Sequence, residues 1–125
     1  MRQGLLLFAH GARDARWSQP FEEVLRQVSA RSPEVDVRLC YLELMSPSLP
    51  EAARQLALAG CERIDVLPMF LGTGGHVRND LPRLLEELAT DHPRVQWHLA
   101  RPIGEIDSVI DAMTAAATDL TKMAK

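Results

Sequence analysis

Gln3-Gly4-Leu5-Leu6-Leu7-Phe8-Ala9, followed at once by His10-Gly11-Ala12-Arg13-Asp14, is the stretch that decides the fold. A short continuous apolar run stopped by a His-Gly turn predicts a buried strand. Outward from it, Phe21, Val24, Leu25 and Val28 recur at helical spacing between Trp17 and Arg31, with Ser18-Gln19-Pro20 as the start signal and Ser32-Pro33 as the stop. Val35 to Leu42 alternates and predicts a second strand. Ser48 and Glu51 form a capping-box pattern that opens a second helix, which runs to about Ala59 and ends at Gly60. Arg63 to Phe70 predicts a third strand, with Pro68 breaking its ladder. A third helix is expected over Val77 to Leu88, stopped by Asp91-His92-Pro93. Val95 to Ala100 predicts a fourth strand. Ile106 to Met123 carries Val109, Ile110, Met113, Ala116, Ala117 and Leu120 on one face and predicts a closing helix.

Strand and helix thus alternate four times with short connections. That order argues an α/β fold, a parallel sheet with helices on both faces and right-handed crossovers. At 125 residues, without repeats or a linker, the chain reads as one domain, 1–125. Its composition, 46% apolar and 25% charged, is that of a soluble protein. The net charge of −3, with no basic run, argues against nucleic acid as a partner. No apolar stretch is long enough to span a membrane. Leu5 to Ala9 is too short for a secretory leader, so the expected location is the cytoplasm. Cys40 and Cys61 form no CxxC pair and read as small core residues.

In a parallel sheet, ligands bind beyond the carboxyl ends of the strands. That rule gathers His10, Arg13 and Asp14, then Tyr41-Leu42-Glu43-Leu44, then Thr73-Gly74-Gly75-His76, then Arg101 and Gly104, at one edge. His10, Glu43 and His76 make a nitrogen-and-oxygen donor set suited to divalent iron, cobalt, nickel or zinc, and three protein ligands leave positions open for a substrate donor. Taken singly, each is more often a solvated loop or strand-end residue. Gly72-Thr73-Gly74-Gly75 before a helix offers free backbone N–H groups to an anion. Arg13, Arg16, Arg78 and Arg101 could hold carboxylates in bidentate fashion. His92 and His98 read as structural or solvated.

The chain resembles the small sirohydrochlorin chelatases of the CbiX/SirB type. The residues that carry the likeness are His10-Gly11-x-Arg13-Asp14, Tyr41-Leu42-Glu43 with Pro47-Ser48-Leu49, Pro68-x-Phe70-Leu71, Gly75-His76-Val77-x-x-Asp80-Leu81-Pro82 and Pro102-Ile103-Gly104. The likeness runs from the first strand to the last. It implies a chelatase-like three-layer sandwich, with a four-stranded parallel sheet flanked by helices. It also implies an ATP-independent lyase, without an organic cofactor, that inserts a divalent metal into sirohydrochlorin for cobalamin or sirohaem. The metal is the substrate: Co2+ or Fe2+, with Ni2+ in one branch. The metal-site and catalytic roles carry over to His10, Glu43 and His76. Arg13, Thr73, Gly74, Gly75, Arg78 and Arg101 are the expected contacts to the tetrapyrrole. A short member is expected to act as a homodimer. Ala12 and Ala15 depart from the family's usual serine and proline in the first motif.

Two other readings use the same residues. A metal or tetrapyrrole carrier would need no turnover, and a structural domain would leave the edge empty. Histidine phosphatases also place His-Gly after an opening strand, but they want arginine directly before that histidine, where this chain has Ala9.

Overall fold

The computed structural model describes residues 1–123. Four strands, β1 (Gln3–Ala9), β2 (Val35–Tyr41), β3 (Arg63–Pro68) and β4 (Gln96–Leu99), form one sheet in the order β2-β1-β3-β4. All neighbours are parallel. The helices are α1 (Gln19–Arg31), α2 (Leu49–Leu58), α3 (Gly75–Asp91) and α4 (Asp107–Met123), with short 3-10 turns at Ala15–Ser18 and Ile103–Glu105. The expected alternation is therefore observed. α3 begins two residues earlier than the apolar spacing indicates, because Gly75 and His76 form its first turn.

Register explains why β1 is so apolar. Leu7 lies between Leu39 of β2 and Leu67 of β3, so β1 is an interior strand and has little contact with water. Alternate residues feed two separate cores. Leu6, Phe8, Cys40, Ile64 and Val66 pack with Leu49, Leu56, Leu81 and Leu88, so α2 and α3 cover one face. Leu7, Ala9, Leu39 and Tyr41 pack with Trp17, Phe21 and Leu25, so α1 covers the other. Each fully buried leucine or phenylalanine contributes about 1.5–3 kcal/mol of transfer free energy.

The local signals are realised in atomic detail. Ser48 caps α2, and the Glu51 side chain returns to the Ser48 N–H, completing the capping box. The Ser46–Pro47 peptide bond is cis. Cys40 and Cys61 are free and buried, as their apolar surroundings require. Burial pushes the Cys40 thiol up to about 12. His98 pairs with Asp65 at 3.0 Å, and the His92 carbonyl accepts the Trp97 indole N–H at 3.3 Å. Both histidines thus take local roles away from the carboxyl edge of the sheet.

α4 departs from the layered pattern. None of its described residues is buried, and none joins either core. Among the described residues its main packing is to the 3-10 turn that precedes it.

Candidate functional site

The strand order creates a switch point. From β1 the chain moves outward to β2, and from β3 it moves outward to β4. The two central loops therefore leave toward opposite faces, and a crevice opens between them at the carboxyl ends of β1 and β3. His10 follows β1 at that edge, and the segment from Met69 to His76 follows β3.

The His10 loop is held by backbone contact with the loop after β2. The Leu42 N–H donates to the Ala9 carbonyl at 2.9 Å, and the Glu43 N–H donates to the His10 carbonyl at 3.0 Å. Gly11 has φ +95, and a Cβ there would lie 1.8 Å from the Glu43 carbonyl oxygen. Both the angle and the approach demand glycine. Leu44, also with positive φ at 66°, turns the second loop back. His10 and Glu43 are thereby fixed as neighbours. The His10 ring lies on the Phe70 ring, with centroids 4.1 Å apart and planes tilted by 31°. Phe70 is itself buried, so it gives the half-buried imidazole a rigid wall.

Across the crevice, Gly74 is the N-cap of α3, with no side-chain hydrogen bond, and His76 is the second helical residue, exposed. Helix N-termini carry partial positive charge and unpaired N–H groups, so this turn favours an anion. Arg78 donates to the Thr73 hydroxyl at 3.1 Å and to Glu105 at 3.4 Å. Arg101 lines, with Thr73, Arg78, Pro102 and Glu105, a cavity of about 250 Å³. Arg13 is exposed on the His10 loop. The loop after β4 is tied to the same edge: the Gly104 N–H donates to the Phe70 carbonyl at 3.1 Å. A Cβ on Gly104 would lie 1.8 Å from the Leu71 carbonyl oxygen.

The structure thus puts the sequence-selected residues at one edge and pins His10 beside Glu43. Among the described residues, however, no three His, Cys, Asp or Glu side chains are gathered as a closed metal cage. At the same edge, Leu42, Phe70, Val77, Asp80, Leu81 and other residues line a small pit of about 100 Å³. Such an edge offers separate nitrogen and oxygen donors, anion-binding N–H groups and guanidinium cations around an uncovered space.

Three features carry no role in the sequence reading. Phe70 is the wall behind His10. Glu105 is the partner of Arg78, so Arg78 is not a free cation. Leu42, Leu44 and Leu71 are exposed by 42%, 59% and 66%, an apolar rim beside the polar groups. Leucines in edge loops are the available signal for such a rim, since a loop residue has no packing reason to be large and apolar.

An open parallel sheet whose two interior loops leave a switch point toward opposite faces defines a class of α/β proteins that bind ligands at that edge. The chain belongs to the CbiX family, whose model matches residues 4–120. It is 27% identical to the sirohydrochlorin cobaltochelatase of Sulfolobus acidocaldarius over 114 residues, covering 91% of this chain and 89% of that protein. It is 26% identical to the sirohydrochlorin ferrochelatase of Bacillus subtilis, covering 96% of this chain but 46% of that longer protein. Among solved structures, a protein of Marinobacter aquaeolei described as a CbiX protein of cobalamin biosynthesis superposes with a TM-score of 0.83 at 30% identity, covering 97% and 98% of the two chains. The sirohydrochlorin chelatase SirB of Bacillus subtilis subspecies spizizenii, in complex with cobalt, superposes at 0.80 with 25% identity over 95% of this chain and 51% of that one.

Proposed function

We propose that this chain is a sirohydrochlorin chelatase that inserts Co2+ or Fe2+ into the tetrapyrrole without ATP, for cobalamin or sirohaem, as one cytoplasmic domain working as a homodimer. Ni2+ is a third candidate metal. The observation that supports the reading is the carboxyl edge of the sheet, where His10 is held beside Glu43 and the first turn of α3 carries His76. The apolar rim of Leu42, Leu44 and Leu71 suits the face of a flat macrocycle. Arg13, Arg101 and the N–H groups at Thr73, Gly74 and Gly75 suit its peripheral carboxylates, and Arg78 joins them by exchanging its exposed Glu105 partner for a substrate carboxylate.

The incoming metal is the substrate and must be released to the ring. A closed cage would hold it too well, whereas imidazoles on facing loops leave coordination positions for the pyrrole nitrogens. Two pyrrole protons leave as the metal enters. An imidazole or the Glu43 carboxylate accepts them as general base. Phe70 limits the swing of the His10 ring, so that its donor nitrogen stays aimed.

The test is the absorbance change of sirohydrochlorin mixed with cobalt, ferrous or nickel ion, followed for wild type, His10→Ala, Glu43→Gln and His76→Ala. Multiple turnovers by wild type are expected, with each histidine variant slowed roughly 100-fold or more. If Glu43 acts as base, Glu43→Gln slows the rate with metal affinity intact; if it is a ligand, affinity falls as well. A single stoichiometric change in wild type would mark a carrier and end the catalytic reading. Wild-type turnover retained in His76→Ala would remove that residue from the mechanism.

A further inference from the structure

The cavity of about 250 Å³ between α3 and the loop after β4 is lined by two guanidinium groups, Arg78 and Arg101, and by one carboxylate, Glu105. Its lining is therefore net positive, on a chain whose net charge is −3. Leu81 and Leu99 form an apolar wall beside these groups. Such a hollow suits an aliphatic stem that ends in a carboxylate. Methylene groups meet the wall, and the charged tip meets a guanidinium fork.

Glu105 already sets a carboxylate in that place. Arg78 donates to the Thr73 hydroxyl at 3.1 Å and to Glu105 at 3.4 Å. The Glu105 backbone is anchored. It ends the 3-10 turn Ile103–Glu105, and its N–H donates to the Pro102 carbonyl at 2.9 Å. The preceding Gly104 is bonded to the Phe70 carbonyl and pressed against that of Leu71. The ion pair itself is open to water, with 63% of the Arg78 side chain and 38% of the Glu105 side chain exposed. An exposed pair of this kind is weak, so another carboxylate can exchange with it.

We infer that Glu105 is an internal surrogate for one carboxylate arm of the substrate, and that by holding Arg78 it sets how tightly the macrocycle binds. When the arm enters, Arg78 changes partner, so the number of ion pairs at Arg78 stays the same. When the arm leaves, Glu105 takes Arg78 back. An internal competitor lowers apparent affinity by the fraction of molecules in which it closes the site. Substrate and metallated product are affected alike, which favours release. Glu105 acts through Arg78 and is a positioning residue. The inference rests on the tetrapyrrole reading above and adds to it a residue that tunes affinity.

The test is equilibrium binding of metal-free sirohydrochlorin to the full chain over a range of salt concentrations. Wild type, Glu105→Gln, Arg78→Gln and the double variant are compared. Glu105→Gln should bind roughly 2- to 5-fold more tightly than wild type, the scale of an exposed ion pair. Its affinity should also fall more steeply with salt, because binding then makes an ion pair instead of exchanging one. In turnover, KM should fall while kcat does not rise. The gain in affinity should largely vanish in the Arg78→Gln background, since the two side chains act as a unit. A gain that persists there in full reports general charge repulsion and overturns the exchange. Equal or weaker binding by Glu105→Gln also overturns it, leaving Glu105 as a prop for Arg78. A wild type that binds no sirohydrochlorin overturns the tetrapyrrole reading itself, and this inference with it.

Discussion

The two ends of the sheet are equally rich in reactive residue types but are built differently. The end where the strands begin has the larger concavity, about 430 Å³, lined by Cys61, Glu62, Asp91, His92 and Arg94 among others. Two carboxylates of the neighbouring strands are already paired. Asp65 takes bonds from Gln3 at 3.1 Å and Arg63 at 3.2 Å, and Asp36 pairs with Arg38 at 3.2 Å. The end where the strands finish has smaller hollows. It also has two glycines pressed against neighbouring carbonyls, a leucine at positive φ, three exposed leucines and an imidazole walled by a buried ring. The lesson is that cavity size and residue inventory do not locate function. Backbone held in costly conformations, with apolar side chains left in water, does so better, since neither persists for the sake of stability.

The sharpest way to break this contrast is Gly11→Ala. The added Cβ meets both the wrong φ and the Glu43 carbonyl, so we expect a loss of about 3 kcal/mol or more in urea unfolding, or failure to fold. A mild cost would mean that the two loops are not clamped and that the strained end is ordinary. Next comes Phe70→Leu, which removes the wall from His10 but keeps an apolar side chain. Chelation should fall about tenfold, with metal affinity or its pH profile changed, while stability drops by about 1–3 kcal/mol from imperfect packing. A stability loss with an unchanged pH profile and affinity would make Phe70 a core residue and nothing more.

The smallest effect belongs to the satisfied end. Burial alone would raise the Asp65 carboxyl pKa, but bonds from Arg63 and Gln3 and the neighbouring His98 outweigh it and hold the group below its ordinary value. A carboxylate whose folded pKa is depressed stabilises the fold above its unfolded pKa and loses that contribution as pH falls through the folded value. The stability gap between wild type and Asp65→Asn should therefore be present at pH 6 and close progressively below pH ~4. A gap that persists unchanged at acid pH would show that the pairing carries no electrostatic stabilisation.

How much of this was legible beforehand varies by element. β1 was readable because a strand buried on both faces has no polar register to obscure it. α2 was readable because Ser48, Pro50 and Glu51 specify its start through local hydrogen bonds. The start of α3 was not, since Gly75 and His76 carry no apolar period and enter the helix through the Gly74 cap. His10, Glu43 and His76 could be named from the strand-end rule. The pinning of His10 beside Glu43, the Phe70 wall and the Glu105–Arg78 pair could not, because they join residues 27 or more positions apart.

Local chemistry in the linear chain therefore determined the elements, their parallel order and the edge at which reactive residues collect. Periodicity, caps and turns act over a few neighbours and need no folded context. The strand order β2-β1-β3-β4 was decided only in three dimensions, and with it the switch point between the first and third strands. Those features depend on which distant segments come to lie side by side, and no spacing along the chain encodes that adjacency.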